Sequence, residues 1–393
     1  MYLSYTEDQL RLQRELREYF AKLITPEVEA QLEAEGFHNG PVSKKIRRRM
    51  GQDGWLGVGW PKEYGGRAMS ALEQFIFFDE ANRAKAPLPL IALNTVGPTL
   101  MRYGTEKQKQ RYLPKILSGE EDWAIGYTEP NAGTDLASLT TKAVRDGDYY
   151  VIQGSKVFTS GGDQADFIWL AARTGTPESR HKGISVFIVP TNTPGFSTAP
   201  LHVVGGGHTT FSYYDNVRVP AENLVLGENQ GWKLITSQLN HERVALAANA
   251  GRWFQLFDEV VEWCKQTRTT SGERVADLSW VQLLLGRAYA LIEAVKLANW
   301  KMAAALNSGD LKAADSSAVK VLGTEAHQEV AKLLLEVLGS AGYLKAGSPG
   351  AVLRGQLERE YRGAIVGTFG GGNNQIQREI IAWNGLGMPR GNR

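Results

Sequence analysis

One cysteine, Cys264, is all that 393 residues hold, so no internal disulfide can form, and no second Cys or His stands beside it at metal-ligand spacing. The expectation for Cys264 is a small helix residue in a reducing compartment, and the protein is expected in the cytoplasm with no metal site. No uninterrupted apolar run approaches the roughly 20 residues that a membrane-spanning helix needs. The N-terminus, Met1 to Tyr5 followed by Glu7 and Asp8, lacks a basic stretch leading into an apolar one, so no secretory signal is read there. Excess charge of either sign is also missing. Forty-four basic against 42 acidic side chains leave +2, which gives no electrostatic footprint for nucleic acid or for an anionic membrane surface. Internal repeats and low-complexity tracts are absent. So is the Gly-rich turn between a strand and a helix, with an acidic residue about 20 positions on, that announces a nicotinamide dinucleotide. The run Gly205-Gly206-Gly207 lies in β-rich sequence and opens no helix, so it reads as a turn.

What is present is an ordinary globular composition, 42% hydrophobic, in a chain too long for one average domain. From Thr6 to about Trp123 the apolar spacing is helical. Thr6 is placed to cap a segment carrying Leu10, Leu12, Leu16 and Phe20, Pro26 closes it, and further helices are predicted over Val42–Met50, Ala71–Ala84, Leu88–Tyr103 and Glu106–Leu117. Between Ile125 and about Asn229 the texture changes to short β-branched and aromatic runs such as Ile184-Ser185-Val186-Phe187-Ile188-Val189, separated by Gly, Pro, Asp and Asn, which predicts a compact antiparallel β domain. Long helical segments return over Trp232–Gln266, Leu278–Ser308 and Asp315–Leu338. The expected division is 1–123 helical, 124–231 β and 232–393 helical, an α+β chain. The basic run Lys44-Lys45 with Arg47-Arg48-Arg49 reads as a solvated helix face rather than a phosphate site.

Three segments carry chemistry. Tyr127-Thr128-Glu129-Pro130-Asn131-Ala132-Gly133-Thr134-Asp135 packs hydroxyls and turn residues into a loop suited to gripping a flat, polar-edged cofactor. Gln153-Gly154-Ser155-Lys156-Val157-Phe158-Thr159-Ser160-Gly161-Gly162 and Asn240-His241-Glu242-Arg243-Val244-Ala245-Leu246-Ala247 are the others. Together with Pro61-Lys62-Glu63-Tyr64-Gly65-Gly66, Tyr103-Gly104-Thr105-Glu106 and Gln375-Ile376-Gln377-Arg378, they make the chain resemble the acyl-CoA dehydrogenase family over nearly its whole length. The resemblance implies an N-terminal α-helical domain, a middle antiparallel β domain and a C-terminal four-helix bundle, with FAD held between the latter two. It assigns Tyr127, Thr128, Gly133, Thr134, Phe158, Thr159, Ser160, Asn373 and Gln375 to the cofactor, with Phe158 keeping an aromatic against the flavin where many relatives have Trp.

Oxidising a saturated acyl thioester requires a base for the proton α to the carbonyl, an acceptor for the β hydride and polarisation of the carbonyl oxygen. Most members of the family place a glutamate base in the segment that aligns with Phe369-Gly370-Gly371-Gly372-Asn373-Asn374-Gln375, and the aligned position here is Gly371, which accepts no proton. A minority carry the base on the first helix of the C-terminal domain, matched by Glu242 beside Arg243. The resemblance therefore implies Glu242 as catalytic base, with Arg243 and Gly371 against the substrate. Apolar Val244, Ala245 and Leu246 and a flavin wall would lift its carboxyl from about 4.3 toward about 6.

Two departures from the family pattern bear on assembly. Arg268-Thr269-Thr270-Ser271-Gly272 has serine for a usual aromatic, and Glu336-Val337-Leu338-Gly339-Ser340-Ala341-Gly342 has an acid and an aliphatic residue for an amide and an aromatic that help hold FAD. Near-side cofactor contacts kept and far-side ones altered imply a tetramer that is α2β2 with a homologous subunit, as in relatives that degrade steroid side chains in actinobacteria. The activity so implied is FAD-dependent α,β-dehydrogenation of a branched or bulky acyl-CoA to the trans-2-enoyl-CoA, with electrons passed to an electron-transfer flavoprotein. A non-catalytic partner subunit, and an oxygen-using oxidase or monooxygenase of the same fold, remain as alternatives at this point.

Overall fold

The computed structural model describes residues 4–35, 40–237 and 250–390. Helix α1 (Glu7–Leu23) starts where Thr6 and Gln9 cap each other, each side chain bonding the other's backbone N–H. Pro26 does not merely end that stretch. Thr25 caps a second helix, α2 (Pro26–Ala34), and proline takes its first position, where its missing N–H costs nothing. Then come α3 (Pro41–Gln52), α4 (Ala71–Arg83), a π-helical turn at Ala92–Val96 running into α5 (Gly97–Tyr103), and α6 (Glu106–Leu117).

Eight strands follow: β1 (Trp123–Gly126), β2 (Lys142–Asp146), β3 (Tyr149–Lys156), β4 (Phe167–Arg173), β5 (Ile184–Pro190), β6 (Phe196–His202), β7 (His208–Pro220) and β8 (Leu224–Val225). They form one sheet ordered β6-β7-β3-β2-β4-β5-β8, with β1 paired to β4. The pairings are antiparallel except that β1 runs parallel to β4 and β2 touches β4 in parallel at Lys142 and Arg173. Every residue of β4 is buried, which is why its sequence is a continuous apolar run rather than an alternation. Its odd-numbered side chains, Phe167, Trp169 and Ala171, join the core of the N-terminal helices, and its even-numbered ones, Ile168, Leu170 and Ala172, join a core with Tyr150, Phe187 and Tyr214. The period of two thus glues the sheet to the helical domain through one face. Gly205-Gly206-Gly207 makes the β6–β7 turn, with Gly206 and Gly207 both at positive φ.

Beyond the sheet, residues 231–237 are helical, and α7 (Ala250–Gln266), α8 (Ser279–Ser308), α9 (Ala313–Leu338), α10 (Gln356–Ala364) and α11 (Asn374–Ile380) build the C-terminal helical part. Its core holds Trp253, Val260, Val281, Ile292 and Leu334, with Cys264 fully buried among them. Helix α10 ties the three regions together. Arg362 donates to the Val204 carbonyl at the β6–β7 hairpin, and a methyl on Gly205 would sit 3.0 Å from the Gly363 Cα. Arg359 reaches Glu33 of α2 at 3.3 Å, while Glu29 accepts from both Lys85 and Arg354 at 2.7 and 2.9 Å.

The basic run on α3 is not uniformly solvated. Arg47 is buried and pairs with Asp122 just ahead of β1, so it fastens α3 to the sheet. Lys44, Lys45, Arg48 and Arg49 edge a cleft of about 1000 Å³ floored by Val28 and Ile46. Among the described residues no helix is long and apolar enough to cross a membrane.

Gly97 marks where the N-terminal helices are tightest. A methyl there would lie 2.0 Å from the Trp60 ring, whose indole N–H donates to the Leu93 carbonyl at 2.9 Å. Gly97→Ala is expected to displace that ring and destabilise by about 1–3 kcal/mol. A lower thermal midpoint with altered tryptophan emission checks it.

Candidate active site

The Tyr127–Asp135 loop leaves β1 and returns over the end of β3. A buried ion pair fixes that approach. Lys156, the last residue of β3, is fully buried and places Nζ 2.8 Å from Glu129 Oε1 and 3.0 Å from the Tyr127 carbonyl. Glu129 also accepts from the backbone N–H of Thr140 (2.7 Å) and of Thr141 (2.8 Å) and from the Thr140 hydroxyl (2.8 Å). Burial pushes this carboxyl up, but Lys156 and those donors outweigh it and hold it down at about 2, while burial draws Lys156 down to about 8. Both groups are therefore charged at neutral pH. The Val157 N–H donates to the Thr128 carbonyl at 2.9 Å, and the Trp169 indole N–H to the Tyr127 hydroxyl at 3.0 Å.

Immediately beyond the pair the chain turns sharply. Phe158 sits at φ +60°, a left-handed conformation costly for a bulky residue, and the residue is 59% exposed. Thr159 points the other way. It is fully buried, donates its backbone N–H to the Thr210 carbonyl, accepts at its own carbonyl from the Thr210 hydroxyl, and places its hydroxyl 3.0 Å from that of Ser212, so its side chain anchors the turn to β7. Ser160 is exposed with its hydroxyl 3.0 Å from that of Thr209. Gly133 and Thr134 lie exposed on the loop, and a side chain at Gly133 would meet nothing within 4 Å. A flat aromatic wall held outward at a conformational cost, beside exposed hydroxyls and an open glycine, fits a flavin ring and its polar edge.

Gly371, Asn373 and Gln375 form a second group, organised by α9 rather than by the sheet. Gly371 is exposed at φ +65°, and a Cβ there would meet nothing within 4 Å. The Asn373 side chain caps α11 by accepting from the Gln375 N–H at 2.8 Å, and the Gln375 side chain is exposed. Asn374, which sequence reasoning passed over, lies buried between Asn373 and Gln375 and bonds Lys320, Thr324 and Glu325 of α9. Glu242 and Arg243 lie outside the described residues.

At the two departures from the family pattern, Arg268 folds back to donate to the Gly272 carbonyl at 2.7 Å, and Leu338 is buried in the helical core while Glu336 is exposed. The α3 cleft shares no residue with either group. Glu129 and Lys156 both lie within the loop and strand motifs that carry the resemblance, and the missed signal was a basic residue alone in the otherwise uncharged strand Tyr149–Lys156 facing an acid in the loop.

Three family models match the chain: the N-terminal domain of acyl-CoA dehydrogenase over residues 6–120, its middle domain over 124–215 and its C-terminal domain over 229–386. Acyl-CoA dehydrogenase FadE26 of Mycobacterium tuberculosis is 51% identical over 403 residues, covering 100% of each chain. Two solved structures are similar over 100% of each chain at 50% identity: the Tcur3481-Tcur3483 steroid ACAD, with a TM-score of 0.94, and the ChsE4-ChsE5 complex from Mycobacterium tuberculosis, with 0.93.

The depressed carboxyl sets a pH dependence. Since Glu129 titrates lower folded than unfolded, its stabilisation is present above the ordinary carboxylate range and lost as pH falls toward 2. Glu129→Gln leaves Lys156 buried without its counter-charge and is expected to cost about 3–5 kcal/mol. Thermal midpoints from pH 7 down to 3 should show that deficit largest at pH 7 and shrinking below about pH 5.

Proposed function

This chain belongs to the acyl-CoA dehydrogenase family of FAD-dependent oxidoreductases, and from that premise we propose that it desaturates a bulky acyl-CoA at its α,β carbons with Glu242 as base. The observation that carries the proposal is the bare Gly371, open to space at the position aligned with the family's usual base. A chain that keeps the family's loops yet has no acid there must supply one from elsewhere, and Glu242 is the carboxylate in the matching alternative segment.

FAD, when bound, supplies the acceptor for the hydride leaving the β carbon. The residues of this chain do the rest. Tyr127, Thr128, Gly133, Thr134 and Ser160 would hold the cofactor's polar edge, and Phe158 would wall its ring, with Thr159 fastening that wall to β7. Asn373 and Gln375 would approach it from the helical side. Glu242 takes the proton α to the thioester carbonyl, Arg243 orients the substrate, and the space at Gly371 admits acyl bulk. Similarity to a steroid ACAD supports a polycyclic or branched acyl group over a short linear one. Electrons then pass to an electron-transfer flavoprotein.

Assembly with other subunits is part of this reading. Helix α8 is apolar around much of its girth, and Trp280, Leu283, Tyr289 and Leu297 stand exposed along it, as do Ile365, Val366 and Phe369 after α10. Those surfaces call for cover, and we place this chain in a tetramer, α2β2 with a homologous subunit that completes the far-side FAD contacts. We assign the domain boundaries to 1–123, 124–231 and 232–393.

Anaerobic bleaching of bound flavin by acyl-CoAs of graded bulk, with and without a co-expressed homologous subunit, tests substrate and assembly together. Bulky thioesters should bleach fastest, and the chain alone should hold FAD poorly. Glu242→Gln should stay folded and yellow but bleach about 10²–10⁴-fold more slowly. Near-normal bleaching by that variant would remove Glu242 from the mechanism.

A further inference from the structure

The Gly370–Gly372 turn owes its shape to contacts that differ at each glycine. A Cβ on Gly370 would lie 3.1 Å from the Val366 carbonyl oxygen, and one on Gly372 would lie 2.8 Å from Gln377 Nε2, whereas one on Gly371 meets nothing within 4 Å. The outer two are closed in by neighbours while the middle one faces open space. Three glycines in a row have little intrinsic preference for any one conformation, so something outside the turn has to select this one.

Helix α9 supplies that selection. Lys320 Nζ donates to the Gly372 carbonyl and, at 2.7 Å, to Asn374 Oδ1. Asn374 is 2% exposed, and its amide nitrogen donates to Thr324 Oγ1 at 3.0 Å and to Glu325 Oε1 at 3.2 Å. One turn further along α11, Arg378 grips both oxygens of Glu325 at 2.7 and 2.8 Å. Asn374 therefore spends its oxygen and its nitrogen on one helix, and the lysine spans both the buried amide and the glycine carbonyl. Hydrogen bonds with a charged donor are the stronger kind, and this one acts on the most deformable backbone at the site.

We propose that Lys320 is a positioning residue for acyl-group selection, holding the turn so that the space at Gly371 stays open. The claim rests on the proposed reading that Gly371 faces the acyl group. Losing the lysine lets the three glycines collapse into that space, which penalises bulky acyl groups and spares short ones. Lys320 touches neither substrate nor cofactor in this role.

The test pairs a readout that needs no turnover with one that does. In the FAD-loaded complex, Lys320→Met should speed amide hydrogen exchange over residues 369–373 about tenfold or more, the order a charge-assisted hydrogen bond is worth, with exchange over β3 and β4 unchanged. kcat/KM for a bulky acyl-CoA should fall about tenfold, mainly through KM, while butyryl-CoA changes less than about twofold. Lys320→Arg should restore part of both effects. Combined with Gly371→Ala, which puts a methyl into the same space, the losses should be less than additive. If Lys320→Met does not accumulate folded, Lys320→Gln, which offers a neutral amide N–H in place of the ammonium, is read by the same criteria. Unchanged exchange in the turn, or equal loss with both substrates, overturns the assignment. Should the parent protein bleach with no bulky acyl-CoA, the substrate reading fails, and the exchange result still decides whether Lys320 sets the turn.

Discussion

The Glu129–Lys156 pair is the contact on which the cofactor side of this molecule depends. It joins the loop after β1 to the last residue of β3, and both partners sit next to residues that would touch a flavin: Thr128 before one, Phe158 two after the other. A surface pair would be too weak and mobile for the task. Here the lysine is fully buried and the carboxylate accepts three further hydrogen bonds, so the desolvation cost is met by a saturated set of partners. The same geometry explains how Phe158 tolerates a left-handed backbone. With Lys156 locked on one side and Thr159 bonded into β7 on the other, the intervening residues have no relaxed alternative.

A second constraint works at longer range. Helix α10 meets α2 through Arg359, aided by Arg354 just ahead of it, the β6–β7 hairpin through Arg362, and the bundle interior through Glu360, which lies 2.9 Å from Arg252 and 2.8 Å from His327. Burial opposes ionisation of Glu360, yet the Arg252 charge and the neighbouring His327 hold its carboxyl down at about 2. Because α10 leads directly into the glycine turn, the placement of that turn relative to the sheet is set by these contacts and not by the glycines themselves.

How much of this could be read in the sequence follows from how local each signal is. Caps and apolar runs are local, so Thr6, the span of α6 and the β-branched run of β5 were legible without any fold. Proline at 26 was read as a stop, although its fixed φ suits the first turn of α2 equally well. The basic run was read as one solvated face, but Arg47 points inward to Asp122, a partner 75 residues away that no periodicity announces. The same holds for Glu129 with Lys156 and for Lys320 with Asn374: each partner was visible, and the pairing was not. Thr159 shows the reverse error of scale, since a hydroxyl between two exposed residues reads as available while β7 takes it inward.

The glycine at 371 shows why an absence can carry more than a presence. A glutamate side chain on a backbone at φ +65° would be strained as well as bulky, so restoring the common family arrangement here would need the turn to rebuild, not one side chain to change. The turn and the vacancy are therefore one feature: the left-handed backbone that Lys320 and Asn374 stabilise is the conformation in which an acid is disfavoured and space is kept. On the proposed reading, such a site trades a base on a glycine-rich turn for room beside the reacting carbons. It can then work only if the proton is taken by a carboxylate outside the turn, which is the role proposed for Glu242.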